Sequence, residues 1–171
     1  MPNFKIFIVF ISLVVFPIEQ TLGQSKADSL LDLLKSSRKQ EKITVLHQLT
    51  RYFISSNGTL ALEYANDAIA LAEELNMPKE KATAMKNRGN VYFYMGSYRL
   101  AEESYLESIE IFELTGNLDG AAKVYNNMGV INSRLGNYEK SLQYYQRSMN
   151  IKETLGDKQG IAATANNIGE I

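Results

Sequence analysis

The chain has 171 residues, room for one domain or a short repeat array, with 45% apolar residues, 22% charged residues and a net charge of -1. Charges of both signs are interspersed, so no basic stripe is present to neutralise a phosphate backbone, and no nucleic-acid partner is expected. Cysteine is absent, which removes disulfides and thiolate-ligated zinc, and the single histidine, His47, cannot build a multi-histidine metal site; no metal or cofactor is expected.

The first residues differ from the rest. Met1–Lys5 carries one lysine, residues 6–18 are almost wholly apolar, and the stretch to residue 23 ends Thr21-Leu22-Gly23. A basic start, a short apolar run and a small-x-small site describe a secretory signal peptide over residues 1–23, cleaved after Gly23. The run is shorter than the roughly 20 residues of a comfortable membrane span, although an uncleaved N-terminal anchor is the alternative. The expected product is exported, periplasmic or secreted, with no further membrane insertion. Residues 24–40 place Leu30, Leu31, Leu33 and Leu34 near helical spacing, which predicts a leading helix that covers the open end of a repeat array.

The remainder of the chain is periodic. Residues 81–120 laid over 121–160 without a gap match at 11 positions of 40, among them Asn87/Asn127, Gly89/Gly129, Gly96/Gly136, Tyr98/Tyr138 and Tyr105/Tyr145. A weaker copy occupies 41–80, and a further copy begins at 161 and runs to 171. Each copy predicts two helices. In the clearest copy the first covers about 118–135, with Ala121, Val124, Tyr125, Met128 and Ile131 at helical spacing. Asn117 and Asp157 are placed as N-caps, Pro78 as a first helical residue, and Gly96 and Gly136 as helix stops. The second helix starts near Tyr138, carries Leu142, Tyr145, Met149 and Ile151, and ends at Gly156. Glycine inside a helix costs about 1 kcal/mol relative to alanine. Its recurrence at 89, 129 and 169 therefore predicts close approach of a neighbouring helix. Ala61, Ala101 and Ser141 fall at the crossing, and Tyr92, Tyr98, Tyr105, Tyr138 and Tyr145 are expected to fill the remaining gaps of the core.

Gly89, Tyr92, Gly96-Ser97-Tyr98, Ala101, Tyr105 and Ser108, and again Gly129, Gly136-Asn137-Tyr138, Ser141, Tyr145 and Ser148, resemble the tetratricopeptide (TPR) pattern. The period of forty and the Leu155-Gly156-Asp157-Lys158 turn are similar to a longer TPR subclass. The resemblance covers about 42–171 and is degenerate in the first copy, where Leu49 replaces the glycine and Gly58 the tyrosine; Arg88 and Gln48 replace the usual leucine before the glycine. It implies an all-α, right-handed superhelical stack of antiparallel helix pairs that binds a protein or peptide and is not an enzyme.

In such a stack the first helices line a concave groove. The residues placed there are His47, Lys86, Asn87, Asn90, Tyr94, Lys123, Asn127, Arg134 and Asn167. An asparagine amide donates and accepts at once. Asn126-Asn127 and Asn166-Asn167 therefore either hold an extended peptide or bond to the adjacent helix. Lys86, Asn90, Lys123 and Asn127 resemble part of a carboxylate clamp found in some members of the family, with Ala163 and Asn167 where a lysine and an arginine belong; a generic polar groove is the other reading. Asn57-Gly58-Thr59 reads as turn chemistry or as a glycosylation acceptor. Ile171 falls partway through a first helix, which predicts either a longer protein, such as a membrane signalling protein with a sensory TPR region, or self-association through the open end.

Overall fold

The computed structural model describes residues 18–171, with side chains from Lys26 onward. The signal peptide expected over residues 1–23 lies outside them, except that the backbone from Ile18 joins the first helix. Among the described residues all regular structure is helical: α1 (Ile18–Ser36), α2 (Lys39–Phe53), α3 (Gly58–Glu74), α4 (Pro78–Tyr94), α5 (Tyr98–Leu114), α6 (Leu118–Arg134), α7 (Tyr138–Leu155) and α8 (Lys158–Gly169). From α2 to α7 the helices form three pairs at the expected forty-residue spacing, and α8 stands where the first helix of the next pair is expected. None of the helices is long and apolar enough to cross a membrane.

The boundaries follow local chemistry. The backbone N–H groups of Leu60, Gly120 and Gly160 donate to the side-chain oxygens of Asn57, Asn117 and Asp157 at 3.0, 3.0 and 2.9 Å, so each side chain satisfies a free donor of a first turn. Asn57 is thus a helix cap. Gly96, Gly136 and Gly156 end α4, α6 and α7 with φ of +73°, +74° and +70°, a conformation that a Cβ opposes.

The α4/α5 and α6/α7 pairs are each closed by a tyrosine ring seated on a glycine. A Cβ on Gly89 would lie 2.5 Å from the Tyr105 ring, and one on Gly129 would lie 2.5 Å from Tyr145. Both tyrosines are buried. The backbones approach so closely that the Ser141 hydroxyl of α7 donates to the Gly129 carbonyl of α6 at 2.8 Å, and Ser148 to that of Ala122 at 2.8 Å. The first pair inverts the sizes: Leu49 stands at the glycine position and Ala65 at the tyrosine position, and both are fully buried. Exchanging volume between facing positions in this way leaves a core filled. α1 covers the outer side of this pair, with Leu30 packed on Val45 and Leu49.

Junctions between pairs differ in chemistry. Between α5 and α6 the Phe112 ring rests on Gly120, beside a cluster that includes Val124, Met128 and Ile131. At the same repeat positions between α7 and α8 stand Lys152 and Thr164. Both are buried, and the Lys152 ammonium donates to Thr164 Oγ1 at 2.7 Å and to the Gly160 carbonyl at 3.2 Å. Burial holds that ammonium below the usual lysine range.

Two expected core residues are not core. Tyr138 is exposed because Ser133 stands where Phe93 does one repeat earlier, and it is Phe93 that gives the matching Tyr98 a ring to pack on, 5.7 Å away. Leu142 is exposed too; the buried face of α7 runs through Ser141, Tyr145, Ser148 and Lys152 instead.

The glycine positions predict opposite outcomes for one substitution. Gly129→Ala meets the Tyr145 ring and should destabilise the fold by about 1–3 kcal/mol despite the better helix propensity of alanine. Gly169→Ala, with nothing within 4 Å of the added carbon, should be neutral or stabilising, by up to about 1 kcal/mol. Urea denaturation of the two variants measures both signs.

Candidate groove of the first helices

The first helices of successive pairs touch one another, α2 with α4 and α4 with α6. They therefore form the inner side of the stack, and the residues they turn away from the second helices floor a groove.

Its best-formed part is a hollow of about 300 Å³ lined by Asn90, Phe93, Tyr94, Asn127 and Val130. The Phe93 and Tyr94 rings meet edge to face with centroids 5.9 Å apart, and the Arg134 guanidinium sits 5.0 Å from the Phe93 centroid. Two amides cross the hollow's floor. Asn127 Nδ2 donates to Asn90 Oδ1 at 2.9 Å, and the Tyr105 hydroxyl donates to the same oxygen at 2.6 Å. These bonds occupy the acceptor of Asn90 and one donor of Asn127. The Asn90 amide nitrogen and the Asn127 amide oxygen make no hydrogen bond among the described residues. The hollow thus presents a donor and an acceptor side by side. The buried Tyr105 hydroxyl, which would otherwise have to be desolvated without a partner, is what fixes their orientation.

One helical turn before these amides lie Lys86 and Lys123. Lys123 pairs with Asp119 at 2.7 Å on the exposed face of α6. Lys86 is half-buried and makes no ion pair or hydrogen bond among the described residues. Its ammonium is held below the usual lysine range first by burial and then by Lys123, with Asp119 opposing and Arg51 adding to the effect. Lys86 thus lies within electrostatic reach of Arg51 of α2, and of Lys123 and its partner Asp119 on α6.

The other predicted residues take different places. Asn87 is buried and does not line the groove: its Nδ2 lies 3.2 Å from His47 Nδ1, which joins α4 to α2. Asn167 donates to Asn126 Oδ1 at 3.1 Å and joins α8 to α6. Asn87, Asn127 and Asn167 occupy one repeat position, and each ties its helix to the preceding first helix. Tyr94 and Arg134 are exposed at the rim of the hollow. Phe93 and Val130 join the groove without having been expected there. Val130 carried a signal: it is apolar yet lies off the stripe that Met128 and Ile131 continue.

His47 sits between α2 and α4 with its Nε2 buried and without a hydrogen-bond partner, 3.4 Å from the Glu80 carboxylate. Burial, more than any neighbour, holds the imidazole below its usual titration range; Glu80 opposes this and Lys86 adds to it. No group of three or more His, Asp or Glu side chains that could hold a metal ion occurs among the described residues.

A family model described as tetratricopeptide repeat matches residues 52–113 and 120–171, more than half of the chain. Among solved structures, the crystal structure of BtubC (BKLC) from P. vanneervenii is similar, with a TM-score of 0.68 at 19% identity over 88% of this chain. The chain spans 63% of that protein's length, and at this identity the likeness is one of fold. No curated protein matches the chain.

The setting of His47 generates a pH prediction. Folding favours the neutral ring, so this residue's contribution is complete above its unfolded pKa, about 6.5, and is lost as the pH falls through the depressed native value. Between about pH 6.5 and 5 the melting temperature of the parent should therefore fall more steeply than that of His47→Gln. Parallel curves for the two proteins would show that His47 does not carry this dependence.

Proposed function

Because the chain belongs to the tetratricopeptide repeat family, we propose that it is a non-catalytic scaffold whose inner groove holds an extended segment of a protein partner outside the cytoplasm. The observation that carries this reading is the paired free amide atoms of Asn90 and Asn127 in the floor of the hollow. A peptide backbone offers both a carbonyl and an N–H, which the Asn90 amide nitrogen and the Asn127 amide oxygen can each engage. Tyr94, Phe93 and Val130 add apolar area around that contact. The half-buried Lys86, without an intramolecular partner, adds a charge whose burial favours a ligand that neutralises it. Export rests on a separate observation, the apolar run of residues 6–18 followed by Thr21-Leu22-Gly23.

The groove is tested by retention of partners from an extract of the native host. Lys86→Ala and Tyr94→Ala should each reduce retention about tenfold with helicity unchanged, as expected for residues at the centre of an interface. Leu106→Ala, an exposed residue of α5, should not. Full retention by both groove variants would remove the groove from the proposal. Export is tested by the N-terminus of the protein recovered from the host: it should begin near Gln24, and recovery of the intact chain from the cytoplasm would contradict it.

A further inference from the structure

Phe112, Gly120 and Val124 at the α5/α6 junction recur, forty residues on, as Lys152, Gly160 and Thr164 at the α7/α8 junction. In both places the side chain from the second helix lies over the glycine. A Cβ on Gly120 would meet the Phe112 ring at 2.7 Å, and one on Gly160 would meet the Lys152 stem at 3.0 Å. The stem thus takes the room of the ring and carries its ammonium into the junction, where Lys152 is 7% and Thr164 0% exposed. The ammonium donates to Thr164 Oγ1 and to the Gly160 carbonyl, and no carboxylate lies within ion-pair distance of it among the described residues. Asp157 and Asp119 favour its charge through space without pairing with it. The other ties of α8 are polar as well: the Thr164 hydroxyl reaches Asn126 Oδ1 at 3.1 Å, and Asn167 donates to the same oxygen at 3.1 Å. Thr164 alone among the described residues of α8 is buried.

The two junctions differ in what opening them costs. Parting Phe112 from Gly120 and Val124 exposes apolar surface to water and forfeits its transfer free energy. Parting Lys152 from Thr164 and Gly160 returns an ammonium, a hydroxyl and a carbonyl to water. Water replaces their hydrogen bonds, and the desolvation of a charge without a counter-ion is relieved. A repeat array is held by such neighbour contacts, so it opens most readily where the contact is polar. We propose that the α7/α8 junction is a joint, at which α8 undocks and redocks as a unit while α2 to α7 stay packed. α8 carries Asn167, whose bond to Asn126 is one of the ties between successive first helices. The joint therefore lets the far end of the inner surface change its angle to the rest, whatever the groove binds.

The test is hydrogen exchange of the full chain under native conditions, read by mass spectrometry on peptides from α6, α7 and α8. In the parent, α8 amides should exchange about tenfold or more faster than those of α6, at a rate that low urea leaves unchanged, as for an opening that exposes little surface. Lys152→Phe combined with Thr164→Val places the α5/α6 chemistry over the same glycine and should slow α8 by about tenfold or more. Gln143→Ala, exposed on α7, should leave the α8 rate as in the parent. Should circular dichroism show that the double variant does not fold, Lys152→Met, which keeps the stem and removes the charge, replaces it and should slow α8 as well. An α8 rate left unchanged by the junction variants would mean that the helix frays from its end, and a raised rate that the polar cluster holds it; either overturns the joint. So would α8 exchanging only together with α6 and α7.

Discussion

At Gly89 and Gly129 the space a methyl group would need is occupied by the face of a tyrosine ring from the next helix. That contact sets how closely the two helices of a pair approach, and much else depends on the distance. Hydroxyls such as Ser141 reach backbone carbonyls across the crossing only because the backbones are near. The helices of one pair then present a fixed ridge to the next pair, and a repeat array is stable through such neighbour contacts rather than through one central core. The first pair reaches a filled core by another route, with Leu49 and Ala65 exchanging the large and small roles.

The same tyrosine links packing to the groove. Tyr105 rests its ring against Gly89, while its hydroxyl donates to Asn90, which in turn accepts from Asn127. A hydroxyl taken out of water requires a partner, and the partner chosen here belongs to the inner surface. The asparagine at the repeated position therefore acts as an interhelical tie. Its remaining atoms, held still by that tie, are the ones left to face the groove. An amide fixed in this way loses little freedom when it engages a ligand, which favours binding.

Much of this was legible in the sequence because the signals repeat. A glycine within one helix is ambiguous, but its recurrence at a constant interval points to a packing cause, which holds at Gly89 and Gly129 and not at Gly169, where no neighbour lies within 4 Å; the caps at Asn117 and Asp157 come from local chemistry alone. Less legible was anything decided by a partner forty residues away. Tyr138 repeats Tyr98, yet only Tyr98 finds an aromatic neighbour, because position 133 changed from the matching Phe93 to serine. Asn87 and Asn127 look identical in sequence; one is buried against His47 and the other borders a hollow. Arg88 departs from the family's leucine, and the reason lies on another helix: it bonds to Ser104 at 3.1 Å and to Glu107 at 2.7 Å. Adjacent residues on a helix point about 100° apart, so a shift of one position between neighbouring helices changes which side chain is covered.

The shared oxygen of Asn90 divides the inner surface into two kinds of position as far as divergence is concerned. Tyr94 and Val130 line the hollow without bonding one helix to another, so they can drift and give related proteins new preferences at little risk to folding. Asn90 cannot change alone: a leucine there would take the acceptor from the Tyr105 hydroxyl and leave the Asn127 amide only its longer bond to that hydroxyl, at 3.4 Å. New specificities in this scaffold should therefore arise at the margins of the hollow, while its floor changes only in concert with the tyrosine beneath it.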